Sequence, residues 1–333
     1  MGAALKDSRF LLALTAAAPP VVGHGLGQYW HAFFVLWVVL PLLDLLIGRS
    51  AQPSSEAELR RLEESPFFRF VLHGWVPLQL GLIGWGAWLV GTGGVHGLDA
   101  VLFTLSVGLA TGGVGITIAH ELGHKRPALD RLLSRVLLVS VSYGHFTVEH
   151  NRGHHVRVAT PEDPASARYG EAFWAFLPRT LAGSLRHAWA LERAEVLVPW
   201  AATLGIAAAL GAAFGALAAA FFFGQSAMAV TLLEAVNYVE HYGLQRRKLP
   251  DGRYERPSAS HSWDAYEWLS NAFLVHLQRH ADHHLNPSRP YAALQPQAES
   301  PKLPAGYPGM VPLAFVPPLW FAVMNPRVPP GPR

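Results

Sequence analysis

Long apolar stretches separated by short polar ones dominate this chain of 333 residues. A helix needs about 20 apolar residues to cross a bilayer core, within a range of roughly 17–25. The pattern offers such stretches at 10–28, 30–47, 67–90 and 98–119. The first is the weakest, because Pro19 and Pro20 interrupt it, and in the fourth Asp99 is the only charge. Residues 196–233 then carry no charged side chain. As one helix they would run about 57 Å, far beyond a single crossing. That stretch must fold back, with Gly211 and Gly215 as a hairpin tip between spans at 196–212 and 217–235. The expectation is an all-α integral membrane protein with six transmembrane helices in three hairpins. Segments 48–66, 120–195 and 236–333 lie outside the membrane, all within one domain over 1–333. Lys6 and Arg9 precede the first apolar stretch, but the proline pair and the lack of a small-residue cleavage site argue for a span rather than a cleaved leader.

The connections at 23–29, 91–99 and 211–215 contain no Lys or Arg, and all 26 basic residues fall on the other side or at its boundary. By the positive-inside rule that side, with both termini, is cytoplasmic. Charged residues make up 15% of the chain, against roughly 25% in a soluble domain, which again points to a membrane. The net charge is only +3 and no basic block with interleaved aromatics occurs, so nucleic-acid binding has little support. Cysteine is absent, which excludes disulfides, cysteine-ligated zinc, iron–sulfur centres and a fused Cys-x-x-C electron-transfer domain. Two further apolar segments do not qualify as spans. LLSRVLLVSVSYGHF, broken by Arg135, suits an amphipathic helix at the interface, and VPLAFVPPLWFAV is too short and too rich in proline.

Without cysteine, any metal must be held by His, Asp or Glu, and most of the 17 histidines are clustered. The first cluster is HELGH, with His120 and His124 four residues apart and so on one helix face. The second is EHNRGHH, in which His150 and His154 repeat that spacing and His155 is placed to face a second metal. The third is HADHH, with His280 and His284 four apart and His283 between them. The fourth is His241 in NYVEHYGL, at the end of the sixth span and therefore level with the first cluster. Nine candidate imidazoles exceed what one mononuclear site uses, so two metal ions are the simplest arrangement. Imidazole suits zinc, copper, iron and nickel alike, and spacing does not choose among them. HELGH also fits a zinc peptidase with Glu121 as general base, but that reading leaves most of the histidines without a role. A metal transporter would place ligands within the bilayer rather than at its edge.

The motifs HELGHK, GHFTVEHNRGHH, VATPEDPASAR, NYVEHYGL, LPDGRYERP and LQRHADHH together resemble the integral-membrane alkane 1-monooxygenases. These are a non-haem di-iron family of the wider membrane fatty-acid desaturase and hydroxylase group. The resemblance runs from about residue 30 to Arg327, and NYVEHYGL with VATPEDPASAR is its most specific part. It implies six transmembrane helices under a cytoplasmic helical cap that holds a histidine-rich di-metal site in a bacterial inner membrane. It implies two iron ions ligated by His120, His124, His150, His154, His155, His241, His280, His283 and His284, with dioxygen as co-substrate. It further implies terminal hydroxylation of n-alkanes to primary alcohols, with electrons from rubredoxin and an NADH-dependent reductase upstream.

Such chemistry fits the residues. A terminal methyl C–H bond is strong and unpolarised, so acid–base catalysis does not break it, whereas a metal that activates dioxygen does. Each turnover needs two electrons, and with no cysteine and no flavin-binding glycine motif the donor is a separate protein. All-imidazole ligation leaves the metal charge uncompensated, so nearby carboxylates are expected to orient the rings. Glu121, Glu149, Asp163, Glu240 and Asp282 are the candidates. Thr160-Pro-Glu-Asp163 also fits a helix capping box. His145, His187, His261 and His276 are read as structural, and Arg152 and Arg279 as docking an acidic rubredoxin. The alkane is expected to enter from lipid, along a channel whose length a bulky residue limits. Trp30, Trp37, Trp75, Trp85 and Trp88 are the candidates. The alternatives are hydroxylation of a xylene-type or fatty-acid terminal methyl, desaturation, or the zinc peptidase.

Overall fold

The computed structural model describes residues 6–331. Among them helices are joined by turns, and extended pairing is limited to three isolated bridges. Four helices are long and apolar enough to cross a membrane: α1 (Pro66–Gly91), α2 (Gly97–Gly123), α3 (Ala194–Phe214) and α4 (Ala216–His241). They differ in what surrounds them. In α2, 78% of the apolar window is buried inside the protein, against 22% in α3. The uninterrupted apolarity of α2 therefore serves a protein core, and that of α3 serves lipid.

Ahead of them the chain is helical but less regular. A 3-10 helix, Ser8–Ala17, runs directly into an α-helix, Ala18–Gly25. At roughly 2.0 and 1.5 Å per residue these span about 30 Å. Pro19 and Pro20 do not break the segment; they occupy the first turn of its α-helical part, where a missing N–H costs no helical hydrogen bond. The apolar helical stretch His31–Ile47 follows and is shorter than the four long helices.

The hairpin between α3 and α4 turns at Gly215, whose φ is 94°. Gly211 stays helical, so only one of the two expected glycines makes the turn. The other departure is at the helix ends. Hydropathy placed span ends at 119 and 235, but α2 continues to Gly123 and α4 to His241. Backbone hydrogen bonding does not stop where apolarity stops, so His120 and His241 ride on the same rigid rods that cross the apolar layer. These two rods touch closely: a Cβ added at Gly112 would lie 2.6 Å from Ala229 Cα, the small-residue contact that membrane helices use.

The remaining segments cover the histidine-bearing ends of the rods. Helix Ala128–Val139 is amphipathic, with Leu137 and Leu138 buried and Leu129 and Leu132 exposed. The C-terminal apolar segment forms two short helices, Tyr307–Ala314 and Pro317–Met324. Trp320 of the second packs 5.1 Å from the ring of Tyr238 in α4. Residues 160–163 form turns rather than a helix start, so the capping-box reading of Asp163 does not hold.

Candidate metal centre

The structure gathers all nine nominated histidines into two sets. His120, His124, His150, His155 and His283 form one; His154, His241, His280 and His284 form the other, and within each set the ligand atoms lie within 4.8 Å of one another. Nε2 atoms face each other at 2.8 Å between His120 and His150, and at 3.0 Å between His280 and His241.

The split follows local helix geometry. His120 and His124 share a set, as do His280 and His284, in keeping with i,i+4 spacing. The second cluster differs: His150–His154 is a π-helical turn, with the amide of His155 bonded to the carbonyl of His150. That i,i+5 repeat puts His155 beneath His150, their Nε2 atoms 3.0 Å apart, and sends His154 to the other set. The expected i,i+4 partnership of His150 and His154 is thereby exchanged, and the sequence carries no clear sign of the π turn.

These donors fit a cation. A neutral imidazole has one N–H. His154 donates through Nδ1 to Asp163 at 2.8 Å and His241 through Nδ1 to the His261 carbonyl at 3.1 Å. Their Nε2 lone pairs are therefore bare and point at other imidazoles. In the five-histidine set, Nε2 of His124 is buried with no hydrogen-bond partner. Burial pushes His124, His150, His155, His280, His283 and His284 well below the ordinary imidazole value, keeping them neutral as ligation requires. His154 is the exception: burial would lower it, but the charge and hydrogen bond of Asp163 raise it.

Of the five nominated carboxylates, two reach a histidine of the sets. Asp163 accepts from His154, and also from Ser166 Oγ at 2.6 Å. Glu240 Oε1 lies 3.2 Å from His280 Nδ1, off the axis of a hydrogen bond, and accepts from Tyr307 Oη at 2.7 Å. The others have different partners. Glu121 pairs with Lys125 Nζ at 2.7 Å and accepts the Tyr291 amide; Glu149 faces His187; Asp282 pairs with Arg289 at 2.8 Å. Glu121 is thus committed to structure, which disfavours the peptidase arrangement. The His261 carbonyl and Tyr307 were not legible beforehand, since a backbone oxygen has no sequence signature.

His145, His187, His261 and His276 join neither set. Arg279 is buried and bonds the Leu294 carbonyl, so it is no docking residue, whereas Arg152 is exposed beside Glu192.

An apolar cleft lies between the N-terminal helices, α2, α4 and the turn after Phe273, lined by Pro19, Trp37, Leu109, Thr117, Leu274 and Leu277 among others. Thr117 and Leu277 also wall a small chamber that touches His120 and His283, with Glu121, Val275 and Leu294 completing its sides. Of the five nominated tryptophans only Trp37 lines the cleft. Trp75 is buried on Gln79, and Trp30 and Trp88 are about half exposed. The turn that carries Val275 and Leu277 is strained: Val275 and His276 have φ of 41° and 58°. A β-branched residue there is an outlier, and each such residue costs on the order of 1–3 kcal/mol.

The fatty acid desaturase family matches residues 98–314. The chain is 44% identical to alkane 1-monooxygenase 2 of Pseudomonas aeruginosa, covering 90% of this chain and 84% of that one. It is 39% identical to the alkane 1-monooxygenase of Acinetobacter baylyi, covering 88% and 75%. Against the xylene/toluene monooxygenase hydroxylase component of Pseudomonas putida identity falls to 25%, over 95% and 87%. With two all-histidine sets among its helices and these relatives, the chain belongs to the alkane 1-monooxygenases, membrane proteins of the fatty acid desaturase family.

Proposed function

We propose that this protein hydroxylates the terminal carbon of n-alkanes drawn from the lipid, consuming dioxygen, two electrons and two protons to give a primary alcohol and water. The observation that carries the reading is the apolar cleft that shares two walls, Thr117 and Leu277, with a small chamber touching His120 and His283. An unfunctionalised chain offers nothing to hydrogen-bond, so a cleft walled by aliphatic and aromatic side chains recognises it by burial alone.

Two iron ions would be held by the nine histidines and, when bound, would supply the reduction of dioxygen and the oxidant for an unactivated C–H bond. The protein's own contribution is placement. Leu109, Leu277 and their neighbours hold the chain and exclude water. His120 and His283 bring the five-histidine set to the chamber, Asp163 and the His261 carbonyl fix two rings of the other set, and Glu240 lies beside a third.

The electrons are assigned to rubredoxin, itself reduced by an NADH-dependent reductase. The absence of cysteine requires an outside donor, and the partial exposure of His155 and His284, one from each set, supports entry on that face. Arg152, exposed nearby in sequence, suits an acidic carrier. Six spans are assigned by adding Ser8–Gly25 and His31–Ile47 to the four long helices. A bacterial inner membrane and a single domain are assigned from the family resemblance, and the basic-residue distribution supports the metal sites and both termini on the cytoplasmic side.

The test uses membranes containing the protein with NADH, rubredoxin and its reductase, supplied with n-alkanes and isotopically labelled dioxygen, beside a His283→Ala control. Labelled primary alcohol made only by the unsubstituted protein is the expected result. An unlabelled alkene would instead indicate desaturation, and turnover only of aromatic methyl groups would favour the xylene-type reaction.

A further inference from the structure

A methylene C–H bond is weaker than a methyl C–H bond, so an oxidant left to choose attacks the penultimate carbon of an alkane. A terminal hydroxylase must therefore impose its selectivity by geometry. Two cavities meet at one place where this can be done. The cleft that accepts the chain and the chamber that touches His120 and His283 share Thr117 and Leu277 as walls. Beyond these two residues the chamber is walled by Glu121, Val275 and Leu294, all buried.

Val275 and Leu277 belong to the strained turn, and that turn is clamped from several sides. Arg9 on the first helix donates to His276 Nε2 at 3.1 Å. Arginine only donates, so Nε2 accepts, and the Nδ1–H of His276 is directed to the Tyr291 carbonyl at 3.1 Å. Phe10 meets the same ring edge-on at 4.8 Å. Gln278, at the turn's far end, bonds Ser270 Oγ and accepts the amide of Tyr307. Arg279 holds the carbonyl of Leu294, the opposite wall. A backbone in a sparsely populated conformation persists only when its surroundings over-determine it, and such strain gathers at functional sites.

We propose that the 274–278 turn is the regioselectivity gauge of this enzyme: Val275 and Leu277, fixed over the chamber by the Arg9–His276–Tyr291 clamp, admit one terminal carbon and hold the penultimate carbon back at the walls the two cavities share. This rests on the terminal hydroxylation proposed above and adds which side chains enforce it. Thr117 and Leu294 complete these walls from α2 and from the loop that Arg279 braces.

The experiment compares the unsubstituted enzyme with Val275→Gly and Leu277→Ala in metal-loaded membranes given a medium-chain n-alkane, reading the ratio of primary to secondary alcohol. Glycine accepts a φ of 41° without strain, so Val275→Gly keeps the turn and removes only the wall. The ratio is expected to fall by roughly tenfold or more in each variant, the discrimination that removing a methylene or two from an apolar pocket wall commands. An unchanged ratio in both variants overturns the gauge while leaving terminal hydroxylation standing. Metal-loaded variants that make neither alcohol also overturn it, since a gauge sets position. No alcohol from the unsubstituted enzyme would instead overturn the underlying reading.

Discussion

The two histidine sets are built from the same residue type yet differ in what surrounds them. Two rings of the four-histidine set are tied outward, His154 to Asp163 and His241 to the His261 carbonyl, while His280 only lies beside Glu240. Among the described residues, hydrogen bonds to the rings of the five-histidine set come only from other imidazoles. That set alone meets the chamber beside the cleft, through His120 and His283. Outer hydrogen bonds fix orientation and raise ligand basicity, so the braced set is suited to holding its metal firmly. The unbraced set is suited to changing its coordination when substrate and dioxygen arrive. Ligand identity alone would never have separated them.

The largest expected effect tests which set faces the reaction. His120→Ala should abolish alcohol formation while metal analysis still finds the four-histidine set filled; loss of metal from both sets would break the distinction. Next, Asp163→Asn should lower metal affinity or activity by roughly 10–100-fold, with metal lost from the four-histidine set first and the product still the primary alcohol. Equal loss from both sets would show that the brace serves the whole cluster.

A smaller effect addresses the cleft. Trp37 fills part of its wall, and Trp37→Ala should move the preferred alkane to longer chains. Competing substrates should change in relative kcat/KM by about tenfold, with no change in metal content. The smallest effect concerns pH and the metal-free protein. Burial lowers nine imidazoles outside the spans, those of His124, His145, His150, His155, His261, His276, His280, His283 and His284. As pH falls through about 6.5, the unfolded chain therefore takes up protons that the folded one refuses, and stability falls. His154 acts in the opposite sense, since its raised value favours the folded state at low pH and that contribution fades as pH rises through it. Glu149 and Asp264, raised by burial, act in the same sense as His154, but nine lowered imidazoles against these three predict a lower Tm at pH 5.5 than at pH 7.5, and Asp163→Asn should steepen the dependence.

What could be read from the sequence was whatever repeats or is excluded by composition. Apolar run length located the four long helices to within a few residues, and histidine spacing nominated nine rings that the fold brings together. The misreadings have physical causes. Helix ends at Gly123 and His241 were missed because hydropathy marks lipid, not hydrogen bonding. His154 was given the wrong neighbour because a π turn shifts its face. Arg279 looked like a surface charge but is held inside by carbonyls, and Asp163 looked like a helix cap although no helix starts there. The cleft and the strained turn arise from segments far apart in the chain, and no local pattern announces them.

The close passage of α2 and α4 carries a consequence for how the protein tolerates change. Gly112 lies deep among apolar side chains, about 12 Å along the helix from His120, and bears no chemistry. Yet any side chain there meets Ala229 on the rod that ends in His241. In a library selected for growth on alkane, this glycine should therefore be nearly as intolerant of replacement as the histidines themselves. Conservation at Gly112 would then record a distance between metals rather than a contact with one.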